Sequence, residues 1–62
     1  MELSEVIVRL IADGMSEAAI AEEVGVSQPT IHRIKHGAGT SFENGNRIQA
    51  LARKRGIVEN AA

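Results

Sequence analysis

The sequence has no cysteine, no tryptophan and no tyrosine, with one phenylalanine and one proline among 62 residues. Without cysteine there is no disulfide framework, no thiolate-ligated zinc finger and no redox thiol. No apolar run approaches the roughly 18 residues of a membrane span. Glu2 and Glu5 sit where a signal peptide would carry basic residues, so a soluble, cytoplasmic chain is the expectation. Charge of one sign is not in excess either: Lys and Arg number 7, Asp and Glu 8, for a net charge of −1. A domain this short buries only about 60% of its unfolded surface and has little volume for a deep catalytic pocket. There is no phosphate-loop glycine motif and no Ser–His–acid arrangement, so the chain is not expected to be an enzyme.

What is present is 44% hydrophobic residues, enough for a core, and a polarised distribution of charge. Residues 1–26 carry six carboxylates against Arg9 alone, a net −5. Residues 27–62 carry six Lys and Arg against Glu43 and Glu59, a net +4. One part of the chain can therefore face a polyanion while the other does not. A solvated basic helix face accounts for the same charges without a partner.

Apolar residues recur at helical spacing throughout, and no strand-period run or repeat interrupts them. Leu3, Val6, Ile7, Leu10 and Ile11 predict a first helix over about residues 2–13, with Gly14 just beyond its end. Ser16 is a candidate N-cap for a second helix whose inner face is Ile20, Ala21 and Val24, stopped by Gly25. Ser27 is a second candidate cap. Pro29 lies in the first turn of a third helix, where its missing N–H costs nothing. Ile31 and Ile34 point that helix inward, and Gly37 ends it. Thr40 and Glu43 have the spacing of a capping box, so a fourth helix should begin near Ser41. Phe42, Ile48, Leu51 and Ala52 are its expected inner stripe, and Met15 and Phe42 are expected in the core. Gly45 weakens the first turn by about 1 kcal/mol relative to Ala. Arg53, Lys54 and Arg55 complement the dipole of the last turn before Gly56, and Ile57 can close a Schellman contact. The fold class predicted is all-α, a compact bundle of about four short helices. A domain over 1–56 with a short tail over 57–62 is expected, the last few residues frayed.

The second and third helices, joined by a tight turn at Gly25, meet the physical requirements of a helix-turn-helix unit over 16–37. With Ile31 and Ile34 inward, the opposite face of the third helix carries Pro29, His32, Arg33 and His36. Gln28 and Ser27 stand at its N-terminal end. No carboxylate is among them. Gln can read adenine through N6 and N7, Arg can read guanine through O6 and N7, and a helix fits the major groove. His32 and His36 also have an i, i+4 metal-ligand spacing, but no third ligand or HExxH pattern accompanies them. No metal and no cofactor is therefore expected.

The stretch SEAAIAEEVGVSQPTIHRIKHG, residues 16–37, resembles the helix-turn-helix of the phage Cro and CI repressors and their bacterial relatives. The resemblance lies in Ala21, in Gly25 of the turn, in the apolar set Ile20, Val24, Ile31 and Ile34, and in Gln28. More weakly it spans about residues 3–55. It implies a lambda-repressor-like fold and a sequence-specific repressor, with helix 28–36 in the major groove of a pseudo-palindromic operator. The base-facing residues it implies are Ser27, Gln28, Pro29, His32, Arg33 and His36. Ser16, Lys35, Thr40 and Ser41 are those implied to approach phosphate. The implied partners are double-stranded operator DNA and a second copy of the chain, with no membrane and no small-molecule ligand. Two features depart from the family. Glu17 stands where many members carry a Gln that contacts the DNA backbone, and little chain follows the fourth helix to build a dimer surface. Residues 11–34 also resemble the DNA-binding helices of resolvases and invertases, although no recombinase catalytic domain accompanies them. A small protein-interaction or antitoxin-like module, using the acidic first half, is the alternative from another class.

Overall fold

The computed structural model describes residues 1–57. Among these the architecture is all-α, with four helices in the order α1 (Leu3–Ala12), α2 (Glu17–Val24), α3 (Gln28–Lys35) and α4 (Phe42–Lys54). Residues 58–62, where fraying is expected, lie outside the described residues.

Each helix contributes its apolar stripe to a single core. Val6, Ile7 and Leu10 come from α1, and Ile20, Ala21 and Val24 from α2. Ile31 and Ile34 come from α3, and Ile48, Leu51 and Ala52 from α4. No polar or charged residue is buried among the described residues, so the core imposes no desolvation cost. Leu3, Ile11, Met15, Val26 and Ile57 pack against its rim, half-buried. α3 packs on α1 and α2, and α4 packs on the same two helices from another side. The outer face of α3 is thereby left open to solvent.

The starts and ends of the helices follow from local chemistry. Ser16 accepts a hydrogen bond from the Ala19 amide at 3.0 Å, and Ser27 accepts one from Thr30 at 3.3 Å. Both are N-caps in extended backbone, as the sequence predicts. The turn between α2 and α3 is three residues long because Gly25 adopts φ +86°, a left-handed conformation that L side chains rarely occupy. The Ala21 carbonyl then accepts from both the Gly25 and Val26 amides, closing the end of α2. At the end of α4 the Ile57 amide donates to Ala52 at 2.8 Å and that of Gly56 to Arg53 at 3.0 Å, the expected Schellman pair.

Two expectations for α4 are corrected. Its N-cap is Ser41, which accepts from the Asn44 amide at 3.1 Å. Thr40 stands one residue outside and accepts instead from the Asn44 side chain at 3.4 Å. The capping pair is thus shifted by one residue from Thr40 and Glu43. Phe42 is not in the core: it is 84% exposed. As the first residue of α4 it lies six residues before Ile48, which turns it about 120° away from that buried side chain. Gly45 takes the inward position instead, and Leu3 of α1 lies over it.

Candidate nucleic-acid interface

The exposed face of α3 starts from a rigid N-terminus. The Ser27 hydroxyl lies 2.8 Å from that of Thr30, and the Thr30 hydroxyl in turn accepts from the Arg33 guanidinium at 3.2 Å. Ser27, Thr30 and Arg33 are thus strung along one edge of the helix at three-residue spacing, where side chains are neighbours. This chain holds one terminal nitrogen of the Arg33 fork while leaving the rest of its donors to solvent. Gln28, Pro29, His32, Arg33 and His36 are all exposed. The rings of His32 and His36 meet edge-on with centroids 4.5 Å apart. The residues predicted to face bases therefore do share one open surface.

Glu17 is the side chain whose setting the sequence did not disclose. It sits in the first turn of α2, where a carboxylate suits the helix dipole. Its oxygens accept from His32 Nδ1 at 3.2 and 3.3 Å and from Lys35 Nζ at 3.3 Å. The hydrogen bond from His32 is the main cause holding its carboxyl below the ordinary value of 4.5. The hydrogen bond from Lys35 and the charges of both partners add to this, and partial burial opposes it. With only 19% of its side chain exposed and two partners on α3, Glu17 is not a bare charge facing outward. The Lys35 ammonium, expected beside a phosphate, is engaged by Glu17 in this geometry.

The remaining polar positions fall at helix starts. Ser16, Thr40 and Ser41 use their oxygens as acceptors for local N–H groups. Each hydroxyl retains its own O–H to donate to an anion. The other ion pairs fasten the scaffold. Arg9 pairs with Glu5, Arg47 with Glu43, and Arg55 donates to Asp13 at 2.8 Å, tying the end of α4 to the end of α1. Arg47 also reaches the Val24 carbonyl at 3.4 Å, over the turn that leads into α3. Among the described residues Arg33, Arg53 and Lys54 have no carboxylate partner. Neither do three or more potential metal-ligating side chains converge there. Among the described residues no helix is long and apolar enough to cross a membrane.

Thr30 and Arg47 escaped the sequence reading. The i, i+3 spacing of Ser27, Thr30 and Arg33 was a readable signal for the first. The second depends on how α4 crosses α2, for which one chain of residues gives no signal.

No curated protein and no solved structure matches the chain. A family model described as a homeodomain-like domain matches residues 5–43, which is more than half of the sequence and contains all of α2, the turn and α3. The chain therefore belongs to the homeodomain-like family, a DNA-binding helix-turn-helix family.

Proposed function

We propose that the protein is a sequence-specific transcriptional repressor of the phage Cro type. It binds a pseudo-palindromic operator as a homodimer, with α3 in the major groove. The observation that carries this reading is the open face of α3. Gln28, Pro29, His32, Arg33 and His36 are exposed together, and no carboxylate stands among them. Gln28 and Arg33 supply the donor and acceptor sets that read adenine and guanine, and Ser27 stands at the helix start beside them. Ser16, Thr40 and Ser41 then meet phosphates through hydroxyl and backbone donors at the starts of α2 and α4, with Lys35 on the flank. A single module contacts few base pairs, so two copies on half-sites one helical turn apart supply the specificity, about 34–36 Å centre to centre. Repression follows from occupying the operator and excluding polymerase, in the cytoplasm of a bacterial host.

Selection from a randomised duplex library with the purified chain tests this. The expected result is a two-fold symmetric site with about 10–10.5 bp between half-site centres. No enrichment at moderate salt contradicts DNA reading and leaves the protein-interaction module in its place.

A second reading is the DNA-binding part of a resolvase or invertase. What supports it is that the family match, from Glu5 within α1 to Glu43 just inside α4, takes in the three helices α1–α3 and leaves out nearly all of α4. An asymmetric half-site from the same selection supports it over the dimeric repressor.

A further inference from the structure

The contact between Glu17 and His32 crosses from the first turn of α2 to the middle of α3 and joins residues fifteen apart. An ionised carboxylate has no hydrogen to give, so a hydrogen bond between it and an imidazole nitrogen needs the hydrogen on the ring. Both Glu17 oxygens lie within 3.3 Å of His32 Nδ1, and the second partner, Lys35 Nζ, keeps a positive charge beside the carboxylate. On the other side the His36 ring meets that of His32 edge-on. The His32 imidazole is thus held in place on an exposed surface, and its Nε2 has no hydrogen-bond partner among the described residues.

We infer that Glu17 is a positioning residue that sets what His32 reads. It fixes the Nδ1–H tautomer, so the neutral ring presents Nε2 to the groove as a hydrogen-bond acceptor. The inference rests on α3 being the recognition helix. In the major groove only the exocyclic amino groups of adenine and cytosine offer a donor to such an acceptor. Guanine N7 and O6 and thymine O4 present lone pairs, which oppose the lone pair of Nε2. Glu17 therefore acts on base choice without touching DNA. The carboxylate at the start of α2 gives a hydrogen-bond polarity to the helix beside it.

Two measurements test the inference separately from the DNA-binding reading. The first is a long-range proton–nitrogen correlation spectrum of the whole chain without DNA, at pH 8, where an ordinary imidazole is neutral. The wild type is expected to show a protonated Nδ1 and a bare Nε2 at His32. Glu17→Ala is expected to shift the ring toward the Nε2–H form, and Lys35→Ala to leave it unchanged. A wild-type His32 in the Nε2–H form overturns the inference whether or not the protein binds DNA. The second is selection from a randomised duplex library at the same pH with wild type and Glu17→Ala. One position in each wild-type half-site is expected to be adenine or cytosine. Glu17→Ala and His32→Ala should each lose that preference by about tenfold, with the other positions intact. Weakening of Glu17→Ala by the same factor on every sequence makes Glu17 a purely structural residue and overturns its role in base choice. An Nδ1–H tautomer with no selected site at all overturns the recognition-helix reading and the base-reading role built on it, and leaves the clamp as a local feature of the fold.

Discussion

Arg33 and Glu17 divide the electrostatics of the open face between them. Arg33 is exposed, has no carboxylate partner among the described residues, and is steadied at one nitrogen by the Thr30 hydroxyl. Arg33→Ala is expected to cost about 1–3 kcal/mol of binding and to relax base preference at one position of each half-site. Competition among single-base variants of the selected duplex checks this, and equal loss on all variants would make Arg33 a phosphate contact. Glu17 is paired, and its pairing has a signature in stability. Its folded-state titration lies below the ordinary 4.5, so the carboxylate stabilises the fold fully above that pH. The stabilisation is lost as pH falls from 4.5 through the lowered value. Glu17→Gln removes the titrating group and should flatten the part of the acid limb that begins just below pH 4.5. Urea unfolding of both proteins between pH 3 and 6 measures the difference, and parallel curves would mean that the pairing is too weak to matter. The exposed set on α3 was legible because Ile31 and Ile34 fix the helix orientation. The engagement of Lys35 and His32 by Glu17 was not legible, because it depends on how closely α2 and α3 approach.

At the scale of elements, Gly25 and Gly45 behave in opposite ways. Gly25 has φ +86°, and an added Cβ would also lie 3.5 Å from the Arg47 guanidinium. Gly25→Ala should destabilise the chain by about 1–2 kcal/mol through the left-handed backbone alone. It should also disturb the angle between α2 and α3. Gly45 lies inside α4 without a positive φ, and a Cβ there would rest 3.4 Å from Leu3, at ordinary contact distance. Gly45→Ala is therefore expected to stabilise by about 0.5–1 kcal/mol, since it restores helix propensity without a clash. Thermal melts of the two variants followed by circular dichroism should move in opposite directions, and a Gly45→Ala melt below wild type would show that Leu3 cannot yield. The helix order, the caps at Ser16 and Ser27 and the Schellman end at Ile57 were readable because they depend on residues within one turn of each other. The α4 helix begins near Ser41 as expected, but its capping pair lies one residue later than Thr40 and Glu43, because Thr40, Ser41, Glu43 and Asn44 offer two overlapping pairs. Only the backbone path chooses Ser41 with Asn44, whereas Phe42 faces outward for a separate reason, its six-residue step from the buried Ile48.

For the whole molecule, eleven buried apolar side chains among the described residues support all four helices, so the open face of α3 and the core are one cooperative structure. Stability for a domain of this size is on the order of 3–9 kcal/mol. Ile31→Ala, at a fully buried position on the inner side of α3, should remove about 2–5 kcal/mol and leave much of the population unfolded at 37 °C. Loss of helical circular dichroism checks that, and a fully folded variant would mean that the core collapses around the cavity. Few cations remain for DNA once the ion pairs are subtracted: Arg33, Arg53 and Lys54 among the described residues. With Arg33 assigned to a base, the logarithm of affinity should fall with the logarithm of salt at a slope no steeper than about −3 per protomer, and a slope implying ten phosphate contacts would require a different face. The same division of surfaces can be mapped directly, by following backbone amide shifts of the labelled chain as duplex DNA is added. If α3 enters the groove, the largest changes should run from Ser27 to His36, with smaller ones at Ser16 and at Thr40–Ser41 and none around Val8 and Arg9 on α1. Changes centred on the first helix, with Gln28, His32 and Arg33 unmoved, would contradict the placement of α3 on DNA.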